Sequence, residues 1–373
     1  MVRLLSISVA VFAVIHGLIH LMGFVAYWPL APVSELPYKT SLLGGRLELG
    51  SAGMRLFSLL WLLAALLWIV GGLLLVFRQP SWAPLMLGVA LFSLGLCILD
   101  WGPAFRGALI DLVFLLILFV VFGLRLPPDP FPAYTADAAF TAETLPFPPG
   151  LPAPVERYYR LVYPDGRLPV YHTAVLTGRG SLTIMGVTIP ARMRFTHIAG
   201  HDYRHYIENT FFGIPFLKVS EHFLAGHARL ELPIGVTENE PVVDSAANQG
   251  LWAEMNVYPA SYLSDRRARW EAVDDQTARL YIPWQDGEQV FTVRFDPLSG
   301  RMLSMETMRH RDAQSGIILW TTNVIFVPAR GGRPARELAA ATWADQGFPW
   351  LIFELEEKDF NTDVTDYIRQ RGP

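Results

Sequence analysis

Residues Val187–Ile198 read VTIPARMRFTHI, and the two faces of that run differ. Val187, Ile189, Ala191, Met193, Phe195 and His197 fall on one side of a two-residue repeat, with Arg192, Arg194 and Thr196 on the other. Side chains alternate across a strand, so the pattern predicts a half-buried β-strand with its apolar face on a core. Comparable runs recur at Ala174–Ile184, Tyr203–Phe212, Phe216–Phe223, His227–Leu232, Ala268–Val273, Ala278–Trp284, Gln289–Phe295, Met302–His310 and Ile317–Val327. The separators AGHD, FFGIP, LAGH, QDGE and DPLSG carry the Gly, Pro and Asp that tight connections use. The economical reading is an antiparallel meander of roughly nine to eleven strands. Two helices interrupt it: VERYYRLVY after Pro154, and VVDSAANQGLWAEMN over Val242–Asn256, which ends before Tyr258-Pro259 because a residue preceding proline avoids the helical region. The fold class expected for this part is α+β, a curved sheet or half-barrel with a helix on its face.

Upstream the text changes. Of the 373 residues 52% are apolar, and the excess sits in the first third. Leu4–Trp28, Leu56–Phe77, Trp82–Leu99 and Ala108–Leu124 each approach or exceed the roughly 18 to 20 apolar residues that cross a bilayer core. A cleaved signal peptide would need a short apolar run ending at a small-residue site, which the first segment lacks. The stretch RLPPDPFPAYTADAAFTAETLPFPPGLPAP follows, and its prolines favour an extended spacer. The expected organisation is a four-helix transmembrane domain over 1–125, a proline-rich linker over 126–150 and a β-rich soluble domain over 151–373.

Charge excludes one class of partner and leans on orientation. Acidic residues outnumber basic ones after Leu124, so no basic surface invites nucleic acid. Arg3, Arg78 and Arg125 lie on one side of the spans, and Lys39, Arg46, Arg55 and Arg106 on the other. With no basic residue between Arg125 and Arg157, this favours an integral inner or plasma membrane protein with an extracytoplasmic C-terminal domain. Cys97, the sole cysteine, rules out an intramolecular disulfide and a cysteine-based zinc site.

Within the first span, VIHGLIHLMGF places His16 and His20 four residues apart, hence on one helix face. Ionisable groups at that depth face the bundle interior and find partners. A fourth span entered at Ala108 puts Asp111 level with His20, so a His20–Asp111 pair with His16 above it is expected. A bis-histidine haem within one chain is close to excluded, because spans two to four hold no histidine, and a metal site would need Asp111 or a second subunit. Structural hydrogen bonding is the plain reading, and proton or quinone handling the functional one.

The remaining chain has no G-x-S-x-G, no Walker loop, no H-E-x-x-H and no dinucleotide fingerprint, so no motif names a cofactor. His197, His201 and His205 are spaced by four, but Gly200 makes that segment a hairpin. His197 and His205 are expected to meet near its mouth, with no obvious carboxylate to complete a set, so no metal is assigned. Trp252, Tyr258, Trp270, Trp284 and Trp320 are more large rings than a core of this size needs. Besides filling the core, they fit a concave site for an apolar small molecule or lipid, and the surrounding membrane lipid is the other expected partner. Glu254 stands at the edge of the Leu251 and Met255 helix face. It is the weak catalytic candidate, with a carboxyl raised by desolvation beside Trp252 and Trp270; an exposed helix residue is the plain alternative.

The run LWAEMNVYPASYLSDRRARWEAVDDQTARLYIPWQDGEQVFTVRFDPLSGRMLSMETMRHR resembles the core of an uncharacterised bacterial domain-of-unknown-function family. The matching positions are Tyr258, Pro259, Leu263, Trp270, Asp274, Ala278, Phe295, Asp296, Gly300 and Arg309 or Arg311, with Val293 in place of the first phenylalanine of the hairpin. HGLIHLMGF and the later SLLGGRLELG are similar to membrane regions fused to such domains. The resemblance implies the two-part architecture and lends no activity. A fold-level similarity is to the unclosed half-barrels of lipoprotein-sorting and lipid-carrier proteins, and fold alone does not carry function.

Overall fold

The computed structural model describes residues 2–330 and 334–370, in two compact units divided between Gly123 and Leu124. The first holds helices α1 (Val2–Tyr27), α2 (Gly50–Val76), α3 (Trp82–Leu99) and α4 (Trp101–Gly123). All four are long and apolar enough to cross a membrane. Their outward faces expose Leu56, Leu63, Leu66 and Leu116, while Trp61, Trp68, Phe114 and Leu118 are buried between helices. This is the inside-out pattern of a bundle solvated by lipid. Only Asp100 separates α3 from α4, and its carboxylate accepts hydrogen bonds from Tyr27 and Lys39. Helix α4 begins seven residues before the expected Ala108, because Arg106 is exposed and is tolerated within the helix.

The second unit is built on one curved, unclosed antiparallel sheet of thirteen strands. In chain order they are β1 (Thr173–Ile184), β2 (Val187–Ile198), β3 (Asp202–Phe211), β4 (Ile214–Leu224), β5 (His227–Leu232), β6 (Gly235–Glu238), β7 (Arg269–Asp274), β8 (Thr277–Trp284), β9 (Gly287–Phe295), β10 (Met302–His310), β11 (Ile317–Val327), β12 (Arg336–Trp343) and β13 (Pro349–Phe360). Across the sheet the order is β6-β5-β4-β3-β2-β1-β13-β12-β11-β10-β9-β8-β7. Two consecutive meanders are thus joined side by side where β1 pairs with β13. That joint is tight: a Cβ at Gly178 or Gly180 would lie 1.9 or 1.8 Å from the carbonyl oxygens of Glu354 and Ile352. Only glycine fits there.

The expected strand count was low because β6, β12 and β13 were not among the expected runs. RELAAATW is alanine-rich, and PWLIFELEEKDF passes from apolar to charged without a clear period of two.

The connection between the two sheet edges carries α6 (Pro241–Glu254), close to its expected bounds. Helix α5 (Ala153–Val162) buries Val155, Tyr158 and Tyr159, one face at helical spacing. Both helices contribute to the one core of this unit, with Ala247, Leu251, Trp252 and Ala253 from α6 and Met193, Phe195, Leu280, Phe291 and Phe353 from the strands.

The stretch read as a spacer is instead fastened to the outer face of the sheet. Phe131 is buried against Tyr206 and beneath the guanidiniums of Arg192 and Arg194, and Arg194 donates to the Pro132 carbonyl. Thr144–Pro146 adds a short pairing with Arg167–Pro169. The polar face of β2 is consequently covered, and Arg194 and Thr196 are buried.

Candidate functional site

Register assembles the site. In the β2–β3 pair Phe195 stands opposite His205, and His197 lies two residues beyond Phe195, so both imidazoles point to the core face. In the next pair His205 stands opposite Glu221. Glu254, the last residue of α6, arrives from above. Its Oε2 accepts from His197 Nε2 and from His205 Nε2, each at 2.8 Å. Tyr258 Oη lies 2.8 Å from His197 Nδ1, Glu221 Oε2 lies 3.7 Å from His205 Nδ1, and Tyr203 donates to Glu221 Oε1 at 2.6 Å. The His205 ring is sandwiched between Phe195 and Tyr203, with centroids 3.9 and 4.1 Å away.

Burial opposes every charge here, and pairing decides which charges persist. Burial works to lower His205, yet the charges of Glu254 and Glu221 and its bond to Glu254 lift it to about 9. Burial alone would raise the Glu254 carboxyl, but the His205 charge and the bonds from both histidines hold it at about 2. Glu221 is likewise depressed against burial, by His205, Tyr203 and Arg309. His197 goes the other way, because burial outweighs its bond to Glu254. At neutral pH the site therefore holds ionised Glu254 and Glu221, cationic His205 and neutral His197. The expected raised carboxyl at Glu254 is corrected: two imidazoles from a distant hairpin reverse the effect of desolvation. An ionised Glu254 accepts protons and metal ions but is no general acid near neutrality.

Glu254, His205, Glu221 and Arg309 line a cavity of about 90 Å³ whose other walls include Ile207, Phe353, Trp320 and Trp350. Arg309 Nε donates to the Ala246 carbonyl, and its guanidinium lies over Trp320, 4.4 Å from the ring centroid. Asn256 Nδ2, Trp320 Nε1 and Trp350 Nε1 are buried without a protein partner, and all three residues line this cavity.

A family model matches residues 141–355, more than half of the chain, and is described as "Family of unknown function (DUF6544)". The chain belongs to the DUF6544 family. Every residue of the site just described lies inside the DUF6544 stretch. Among solved structures, a domain described as an outer membrane lipoprotein-sorting protein domain from Vibrio parahaemolyticus is similar over 57% of this chain and 95% of its own, with 14% identity and a TM-score of 0.30. No curated protein matches the chain.

The sequence-based candidates within the DUF6544 region divide. Trp320 lines the cavity; Trp252 and Tyr258 are wholly buried in the core, and Trp270 and Trp284 pack against it. Tyr258 still enters the site through its hydroxyl. His201 is turned away and shares a surface cleft of about 540 Å³ with His172, Asp265 and Arg267. Glu221 and Arg309 were missed as site residues, because only the strand register reveals that Glu221 faces His205.

In the membrane-spanning unit, outside the DUF6544 match, His16, His20 and Asp111 do come together, in a different pairing from the one expected. His16 Nε2 lies 2.9 Å from Asp111 Oδ1. His20 Nε2 instead meets Ser93 Oγ at 2.6 Å, Ser93 Oγ lies 2.8 Å from Asp111 Oδ2, and His20 Nδ1 donates to the His16 carbonyl at 2.9 Å. The earlier start of α4 explains the change, since it sets Asp111 near the middle of its helix, level with His16. Trp68 and Trp61 flank the two rings, with centroids 5.0 and 5.2 Å away.

Proposed function

We propose that this is a membrane-anchored binding protein whose β domain, on the extracytoplasmic side, takes a small apolar molecule or the end of a lipid that carries acceptor oxygens. One observation carries the reading: a cavity with mostly apolar walls is lined by three residues with buried, unpartnered N–H donors and by the Arg309 guanidinium. Buried donors without partners are costly, and a carbonyl or carboxylate on an apolar ligand would satisfy them. At about 90 Å³ the cavity suits a headgroup or a chain end rather than an entire lipid. The test is mass spectrometry of molecules retained by the full-length protein, compared with Ala341→Phe, which adds a ring at the cavity wall on the core face of its strand. A species lost only from the filled variant supports the reading, and identical extracts from both count against it.

A second reading, proton handling in the bundle, has its own observation in the unbroken chain His20–Ser93–Asp111–His16. With His20 Nδ1 committed to a carbonyl, two arrangements exist. Either imidazolium His20 donates to Ser93 and Ser93 to Asp111, or protonated Asp111 donates to Ser93 and Ser93 to neutral His20. Such two-state chains relay protons. Proton flux into vesicles containing the protein, lost in Ser93→Ala, is the test; equal flux in both proteins would remove the idea.

A further inference from the structure

Three donor atoms, His197 Nε2, His205 Nε2 and Glu254 Oε2, lie within 4.8 Å of one another. We propose that they bind one divalent first-row transition ion of the zinc or ferrous-iron type, with its open coordination positions facing the cavity. Two imidazoles and one carboxylate, with further positions left free, form the donor set such ions take at reactive centres. Both nitrogens already stand 2.8 Å from the same carboxylate oxygen. Around an ion with bonds of roughly 2.0–2.1 Å the donors would separate by only about half an ångström more.

The groups behind the donors make the stronger argument. A ligating imidazole coordinates through one nitrogen and donates the other N–H to an acceptor that fixes its tautomer. Ligation through Nε2 demands an Nδ1–H on both rings; an oxygen is within hydrogen-bond distance of one Nδ1, and a carboxylate oxygen stands a few tenths of an ångström beyond that distance from the other. His197 Nδ1 faces Tyr258 Oη at 2.8 Å, and His205 Nδ1 faces Glu221 Oε2 at 3.7 Å. Glu221 is itself held by the Tyr203 hydroxyl. The ring planes are fixed too, since His205 is stacked between Phe195 and Tyr203. Two carboxyl groups, Glu254 and Glu221, stand at the site beside the single guanidinium of Arg309, which suits an added dication.

The other cluster of ligand-type side chains among the described residues, His16, His20 and Asp111, lacks this form. Both nitrogens of His20 are already engaged, one to a main-chain carbonyl and one to Ser93. The inference for Glu254 stands whether or not the cavity also accepts an apolar molecule.

The experiment uses untagged full-length protein in detergent, stripped with EDTA, dialysed, and titrated with Zn²⁺ and separately with Co²⁺. One equivalent of metal, a visible cobalt d–d band and a raised melting temperature are expected. Glu254→Gln, close in shape, is expected to weaken binding at least tenfold. Glu221→Gln and Tyr258→Phe, which leave all three donors in place, are expected to weaken it by about 10- to 100-fold. The double variant His16→Ala, His20→Ala is expected to keep full stoichiometry. Failure of the wild-type protein to bind either ion would overturn the proposal, as would affinity unchanged in Glu254→Gln or stoichiometry lost in the membrane double variant. Circular dichroism of each variant separates lost metal from lost fold.

Discussion

Glu254 Oε2 and His205 Nε2 lie 2.8 Å apart, one at the end of the helix that joins the two sheet edges and the other in the middle of a strand beneath it. Metal-free, this is an ion pair whose two members titrate in opposite directions. His205 is raised from 6.5 to about 9, so its contribution to stability is complete below pH 6.5 and is lost as the pH rises through 9. Glu254 is lowered from 4.5 to about 2, so its contribution is complete above pH 4.5 and is lost as the pH falls through 2. In chelator, the melting-temperature gap between wild type and Glu254→Gln should be widest between about pH 4.5 and 6.5. A gap that does not narrow by pH ~10 would show that this pair is not its source.

Arg309 is the guanidinium that faces the two cavity carboxylates, held over Trp320 with its Nε on the Ala246 carbonyl. Arg309→Met leaves Glu221 and Glu254 against the single charge of His205. Removing one member of a fully buried charge set costs about 3–5 kcal/mol, and because Arg309, Glu221 and Glu254 are half-buried a loss below that range is expected. Adding Glu221→Gln should recover part of the loss, with a coupling of about 0.5–3 kcal/mol in a thermal-denaturation cycle. Strict additivity of the two changes would show that Arg309 acts through packing alone.

Within the membrane-spanning unit, coupling should follow the observed chain of hydrogen bonds. His16 touches Asp111 directly, whereas His20 reaches it only through Ser93. A cycle of His16→Ala with Asp111→Asn should show a coupling of about 0.5–3 kcal/mol. The His20–Asp111 coupling should vanish once Ser93→Ala is present, and its persistence there would mean direct contact or an indirect route through the helices.

What the sequence made legible was whatever depends on short-range period. Met302–His310, Ile317–Val327 and His227–Leu232 have the same bounds in the sequence reading and in the structure. So nearly does α6, whose end is announced by Tyr258-Pro259. The site was legible only in pieces. Glu254 was visible as a carboxylate on a helix edge, and His197 with His205 as a hairpin pair. Their meeting depends on where the β6–α6–β7 connection lands on the sheet, a long-range matter that no local pattern encodes. Glu221 was hidden for the same reason, since register alone sets it opposite His205. The depth of Asp111 failed on a single residue, Arg106, whose charge ended the apolar run while the helix itself continued.

The proline-rich segment supplies the last test, because its composition and its packing point in opposite directions. Seen as sequence it is a spacer; in the structure Phe131 is 4% exposed and is clasped by Arg192 and Arg194, with guanidinium carbons 4.5 and 5.4 Å from its ring centre. Carbonyls on either side of it accept from the sheet as well: Pro128 from Arg179 at 3.2 Å, Asp129 from Arg192 at 3.4 Å, and Pro132 from Arg194. Phe131→Ala removes the ring that covers the polar face of β2 and β3. Loss of a buried phenylalanine costs about 3–5 kcal/mol in a closed core. On this outer face the arginines regain water, so a loss below that range is expected. The effect should be local: faster proteolysis between residues 126 and 140, with metal stoichiometry at Glu254 unchanged, because the cavity lies on the opposite face of the sheet. Cleavage as slow as in wild type would mean that the main-chain hydrogen bonds alone hold the segment down.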